Sequence, residues 1–204
     1  MSHRRIRILS LALGCGVMGA LWLAPAALAD RSRDRPTAPK DIDDAPALVP
    51  IPNARVTKSG LLIGGQPAPE QLKAIHDAGY RTIVTLRTAT ERGDESEEAA
   101  VERMGLTFVS IPVAGAAGLT EENARALDKA LGREDALPAV VHCSTGQRVS
   151  ALLGLRAFVV DRVSAGAAID LAKRLGMKKF EAALRERIVE ICESDASRSC
   201  EDVQ

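Results

Sequence analysis

Aromatic residues are nearly absent: three Phe, one Tyr and one Trp in 204 residues, with Trp22 inside an N-terminal apolar segment. That scarcity argues against the stacking platforms that bind single-stranded nucleic acid. A charge excess is missing too, because 27 basic residues face 27 acidic ones, so nothing electrostatic calls for a polyanion or a membrane surface as partner. Three histidines and four cysteines without metal-type spacing argue against a metal site, and no cofactor is implied. The acidic run Glu91 to Glu98 lacks calcium-ligand spacing and reads as a solvated loop and helix start. Gly64-Gly65 is a turn after a strand, without a dinucleotide fingerprint. There is no internal repeat, and 46% hydrophobic residues exclude collagen-like, coiled-coil and disordered classes.

What is present begins with a leader. His3-Arg4-Arg5-Ile6-Arg7 forms a positive start, residues 8–24 are apolar, and Ala27-Leu28-Ala29 before Asp30 is a small-x-small cleavage site. Residues 1–29 are expected to be a secretory signal peptide, which places the protein in the periplasm or outside the cell. The alternative is an uncleaved anchor, since the uncharged run from Ile8 to Ala29 has 22 residues, enough to span a bilayer; the domain then lies outside and meets a membrane only through that leader. Arg4-Arg5 is a weak twin-arginine hint and Ala12-Leu13-Gly14 before Cys15 fits a lipidation site poorly. Residues 30–52, rich in Pro, Asp, Arg and Ala without apolar periodicity, are expected to be a disordered tether.

Beyond the tether, strands are expected at Arg55 to Thr57 and Leu61 to Ile63, then at the β-branched runs 82–86 and 108–111. Pro67 and Pro69 open a helix carrying Leu72 and Ile75, closed by Gly79. A helix is expected from Asp94 to Met104, and Thr120 caps another with Ala124, Leu127 and Leu131 on one face. Ala139-Val140-Val141 reads as a strand buried on both faces of a parallel sheet. Residues 149–160 are apolar on nearly every side and mark a central buried helix, followed by helices over 164–175 and 178–193. Strands alternating with helices predict an α/β domain over residues 53–193, a mainly parallel central sheet flanked by helices, with 194–204 as a C-terminal tail.

The segment that carries chemistry is His142-Cys143-Ser144-Thr145-Gly146-Gln147-Arg148. A buried strand ends in His-Cys, a short polar loop with a glycine follows, and an arginine opens the central helix. Loop N–H groups of Ser144, Thr145, Gly146 and Gln147 can converge on one oxyanion, the helix start adds partial positive charge, and Arg148 offers a planar fork for two oxygens. The same field favours a thiolate at Cys143 and hence a nucleophile. A cation at a helix start opposes the dipole and calls for a bound anion. His142 is read as ordering the loop, and His76 as a boundary residue of the first helix.

Residues 65–177 resemble the beta-lactamase-hydrolase-like, protein-phosphatase-like family, related to dual-specificity tyrosine phosphatases. The matching residues are Gly65-Gln66-Pro67 with Glu70-Gln71-Leu72, Ala78-Gly79-Tyr80, Thr85-Leu86-Arg87, Gly105-Leu106 with Ile111-Pro112-Val113, and His142-Cys143-x-x-Gly146-x-Arg148-Val149. The resemblance implies a cysteine phosphatase-like fold, a nucleophile at Cys143, phosphate binding by Arg148, and a phosphorylated protein or small phosphoester as substrate. Two departures accompany it. Four residues stand between Cys143 and Arg148, where phosphatase loops hold five and rhodanese sulfurtransferases commonly the shorter loop. Residues 112–119, where related phosphatases place an acidic proton donor, hold no acid; Glu121, Glu122 and Asp94 are the nearby candidates. The function expected is a cysteine-dependent phosphatase outside the cytoplasm, with a sulfurtransferase or a catalytically impaired anion-binding module as alternatives.

Removal of Cys15 with the leader leaves three cysteines, an odd number outside the cytosol. If Cys143 stays free, Cys192 and Cys200 are expected to pair across a polar stretch able to turn back. The competing readings are Cys143 capped by one of them, or two unpaired surface thiols.

Overall fold

The computed structural model describes residues 42–43, 49–92, 97–200 and 203, all within one compact unit spanning 34–204. The leader lies outside the described residues, as does Asp94. Among the described residues no helix is long and apolar enough to cross a membrane.

Six strands among the described residues form one sheet in the order β1-β2-β3-β6-β4-β5. β1 (Ile42–Asp43), β2 (Arg55–Thr57) and β3 (Leu61–Gly64) pair antiparallel. β3, β6 (Ala139–His142), β4 (Thr82–Thr85) and β5 (Thr107–Ser110) run parallel, as the alternating pattern predicts. The central strands are buried on both sides because their side chains alternate between two cores. Leu61, Ile63, Val84, Ala139 and Val141 face one helical layer, whereas Leu62, Ile83 and Val140 face the other. The first layer comprises α4 (Glu121–Leu131), α5 (Gln147–Val159), α6 (Ala165–Arg174) and α7 (Glu181–Ser194). The second comprises α1 (Pro69–Asp77) and α3 (Glu97–Arg103), which contribute Leu72, Ile75 and Val101.

The expected helix over 94–104 is present in its described part as α3 (Glu97–Arg103), and a short α2 (Ala89–Arg92) that the sequence pattern did not predict follows β4. The expected tether also orders before its predicted end: Ile42–Asp43 pair with Val56–Thr57, and Val49 and Ile51 are buried in the second core. Two aliphatic residues spaced by one proline bury enough surface here to fix a segment whose composition looks disordered.

α5 is enclosed from Arg148 to Val159, which its apolar surface on all sides requires. Gly154 permits the close approach of α6, since a Cβ there would stand 2.8 Å from Ala168 O and from Ala172 Cβ. At the chain's end Cys192 and Cys200 are disulfide-bonded and Cys143 is free. Arg198 ties the same tail down by donating to Phe158 O at 2.7 Å and Val159 O at 3.1 Å, and Val203 is buried.

Candidate active site

β6 ends at the centre of the sheet between β3 and β4, so the loop after His142 emerges where the parallel strands deliver their C-terminal ends. Two neighbours hold that loop. On the β3 side, Cys143 N–H donates to Gly64 O at 3.3 Å, Gln66 N–H to Ser144 O at 3.4 Å, and Asn53 Nδ2 to Thr145 O at 3.1 Å. Gly146 caps α5 with φ +84°, and a Cβ there would stand 3.2 Å from the Gly64 backbone; conformation and space both demand glycine. The turn aims the Gly146 N–H at Cys143 Sγ, 3.1 Å away. Cys143 is 1% exposed, set at the floor of the loop.

On the β4 side stands a residue that the sequence reading assigned to a solvated run. Glu91 of α2 grips the Arg148 guanidinium with both oxygens, NH2 to Oε1 at 2.5 Å and NH1 to Oε2 at 2.7 Å. Arg148 also donates from NH1 to Val113 O at 2.8 Å and from NH2 to Ser144 Oγ at 2.9 Å. Ser144 in turn donates to Glu91 Oε1 at 3.1 Å. Together these contacts orient one fork, and the bidentate pairing is the strong, directional form of this contact. The hydrogen bonds from Arg148 outweigh partial burial and hold the Glu91 carboxyl down to about 2. Arg148 is pushed up by Glu91 first, against its burial, and by Cys143.

Beneath the loop lies a second acid, again in the run read as solvated. Glu97 is buried, with Oε1 accepting from Gln66 Nε2 at 3.0 Å and lying 3.2 Å from His142 Nε2. The His142 contact lacks hydrogen-bond alignment. Gln66 Oε1 accepts from Arg87 NH1 at 2.8 Å. Burial would raise the Glu97 carboxyl, but His142, Gln66 and Arg87 together bring it below its ordinary value. His142 is fully buried, and neither of its ring nitrogens has a hydrogen-bond partner among the described residues.

The structure therefore brings together Cys143, Ser144, Gly146 and Arg148. Thr145 is exposed, with its carbonyl held by Asn53. The Gln147 side chain turns away: its Oε1 accepts from Lys178 N–H at 2.7 Å and Lys179 N–H at 3.2 Å, and its Nε2 donates to Gly176 O at 2.9 Å. Only its backbone remains for an anion. Glu121 pairs with Arg125 at 3.1 Å on the first turns of α4, a local role at a helix start. The 112–119 loop is at the site through Val113 O, yet brings no acid. Glu91 brings no proton, being ionised at neutral pH. Among the described residues no cluster of His, Cys, Asp and Glu could hold a metal ion. The sequence pattern predicted no site role for Glu91, Glu97 or Gln66; Gln66 stands in the Gly65-Gln66-Pro67 motif of the family resemblance, whereas the two acids are signalled only by lying in the segment that follows β4.

Residues 53–189 match the family described as DSP-PTPase phosphatase fused to NAD+ kinase. The chain is 32% identical over 107 residues to a beta-lactamase hydrolase-like protein of Xylella fastidiosa (strain Temecula1), a match covering 50% of this chain and 24% of that protein. The chain thus spans about a quarter of that relative's length. Among solved structures it resembles a putative phosphatase (DUF442) from Shewanella putrefaciens CN-32, with TM-score 0.52, 22% identity, and coverage of 69% of this chain and 93% of that one. It also resembles a TpbA variant of P. aeruginosa solved in complex with pTyr, with TM-score 0.50, 15% identity, and coverage of 71% and 86%. At these identities the likeness is one of fold, and the fold is that of the cysteine phosphatases.

Proposed function

We propose, from the premise that this chain belongs to the family of DSP-PTPase phosphatases fused to NAD+ kinase, that it is a cysteine-dependent phosphatase acting outside the cytoplasm. The observation that carries the reading is the convergence of Cys143 Sγ, the Gly146 N–H, Ser144 Oγ and the Arg148 fork at the start of α5. In the proposed reaction the Cys143 thiolate attacks phosphorus in line, an S–P bond forms, and the P–O bond to the leaving group breaks. Water then attacks the phosphocysteine, releasing phosphate and restoring the thiolate. Loop N–H groups and Arg148 meet the charge on the equatorial oxygens, which is where phosphoryl transfer needs most help. Glu91 acts through Arg148 as a positioning residue, and Glu97 acts through His142.

The substrate is a phosphorylated protein or small phosphoester. The site outside the cytoplasm is supported by the leader and by the Cys192–Cys200 disulfide, a bond that persists in oxidising compartments. Phosphate release from 4-nitrophenyl phosphate, lost in Cys143→Ser, tests the chemistry; turnover that survives that change unaltered refutes it. Fractionation of cells carrying the full chain tests the location, and recovery only in the cytoplasm overturns it. A second reading rests on the four-residue spacing between Cys143 and Arg148: a sulfurtransferase carrying a persulfide on Cys143. Thiosulfate and cyanide are its assay, and no thiocyanate above background ends it.

A further inference from the structure

Behind the catalytic loop lies a cavity of about 90 Å³ whose wall includes Thr145, Gly146 and Gln147 on one side and Asn53, Arg55 and Lys178 on the other. It holds about three waters at their liquid volume, the size of one tetrahedral oxyanion. No acidic residue lines it. Neither Arg55 nor Lys178 has a side-chain hydrogen bond or ion pair among the described residues, so two cationic residues border one small space that no carboxylate lines.

Two devices fix these cations against the loop. Gln147, the first residue of α5, accepts the Lys178 and Lys179 N–H groups and donates to Gly176 O, so the turn before α7 is fastened to the residue that starts the catalytic helix. Gly176 has φ +97°, and a Cβ there would stand 2.7 Å from Arg55 Nε. The Arg55 guanidinium lies over that glycine, whose positive φ favours a residue without a side chain. A polar side chain in the signature segment thus holds a lysine-bearing turn beside which Arg55 lies.

We propose that this cavity is a second anion subsite, and that the substrate is a phosphoester carrying a second phosphate group near the one that is cleaved. The inference rests on the phosphatase reading for the word substrate. The first phosphate occupies the cradle of Cys143 and Arg148; the second sits behind the Thr145–Gly146 wall, against the Arg55 fork and the Lys178 ammonium. A second dianionic group gains there what a monophosphate cannot.

Two measurements on the full chain decide it. Titration with inorganic phosphate followed by ³¹P NMR gives two phosphates per chain in the wild type and one in Arg55→Ala/Lys178→Ala; one in the wild type, or two in the double variant, overturns the subsite. Both side chains are exposed, and Arg55→Gln alone, which keeps much of the length of the side chain, is expected to weaken the second phosphate about tenfold. In turnover, benzene 1,2- or 1,3-bisphosphate has a KM about tenfold below that of phenyl phosphate, and the double variant erases that difference. A gain under twofold for both bisphosphates overturns the substrate class. If no aryl phosphate is turned over, the phosphatase reading fails while the phosphate count still judges the subsite.

Discussion

Helix α5 carries two buried arginines eight positions apart, and their surroundings differ in the way that separates a site from a staple. Arg156, near the helix C-terminus, faces two carboxylates, Asp128 at 2.7 Å and Asp161 at 2.9 Å, each 17% exposed. Its charge is answered twice over, and its position agrees with the helix dipole. Arg148, in the first turn, opposes the dipole and faces one carboxylate, Glu91, whose side chain is 34% exposed. Its other partners are a hydroxyl and carbonyl oxygens. Two acids hold Arg156 inside the fold; Arg148 is held by one half-exposed acid and neutral acceptors, so an arriving anion has to take over hydrogen bonds that Glu91 and Ser144 accept.

The comparison breaks most visibly if the Arg156 cation is removed. Arg156→Met takes away the cation that Asp128 and Asp161 share in a partly buried site, and is expected to cost about 3–5 kcal/mol of stability. The phosphatase rate per folded molecule should stay the same. Urea denaturation beside an aryl phosphate assay checks this, and a stable but inactive variant would erase the distinction between the two arginines.

Arg148→Lys is the converse. The charge survives but the two-oxygen fork does not, so kcat/KM for an aryl phosphate is expected to fall roughly 100- to 1000-fold. Unfolding free energies from urea within about 1 kcal/mol of the wild type would confirm that the loss lies in the site and not in the fold. An equal loss of stability and rate would make Arg148 a second staple.

The distinction was only half legible in the sequence. The His-Cys-loop-Arg order and the apolar α5 follow from local spacing and hydrophobicity, which the chain displays directly, whereas the pairing of Cys192 with Cys200 follows only if Cys143 stays free. Glu91 and Glu97 do not, because their meaning depends on sheet order. Thr85 pairs with His142 in the parallel register of β4 and β6, which carries the residues after Thr85 over the loop after His142. Nothing in the run 91–98 states that neighbour relation, and an acidic segment at a helix start has a sufficient local explanation in the dipole. Val49 and Ile51 were hidden by composition in the same manner, since two aliphatics among prolines look disordered until a core receives them.

A smaller effect sharpens the contrast between the two ends of the helical layer. The Cys192–Cys200 bond closes a loop with sequence separation 8, and Cys192→Ser/Cys200→Ser is expected to cost about 2 kcal/mol without altering kcat. The tail retains the Arg198 hydrogen bonds to α5. Thermal unfolding of the wild type with and without reductant should show the same shift as the double variant. A reductant effect on activity at unchanged stability would instead implicate Cys143.

The smallest expected effect bears on the carboxylate that sets the two arginines apart. Glu91→Gln keeps the size of the side chain and one oxygen acceptor but loses the charge that grips both nitrogens of Arg148. As Glu91 orients the fork without touching the reacting atoms, kcat should fall about tenfold, roughly 1.4 kcal/mol, while KM does not rise, because a negative neighbour of the incoming dianion has gone. The pH dependence follows from the lowered carboxyl. Ionised Glu91 contributes stability that is complete above its unfolded value near 4.5 and is lost as pH falls through its folded value of about 2. Thermal midpoints measured from about pH 6 down to about pH 2 should therefore fall less steeply below about 4.5 in Glu91→Gln than in the wild type. Parallel curves would show that the pair contributes nothing to folding, as exposed ion pairs often do not, and a raised KM would move Glu91 from positioning Arg148 to contacting the substrate itself.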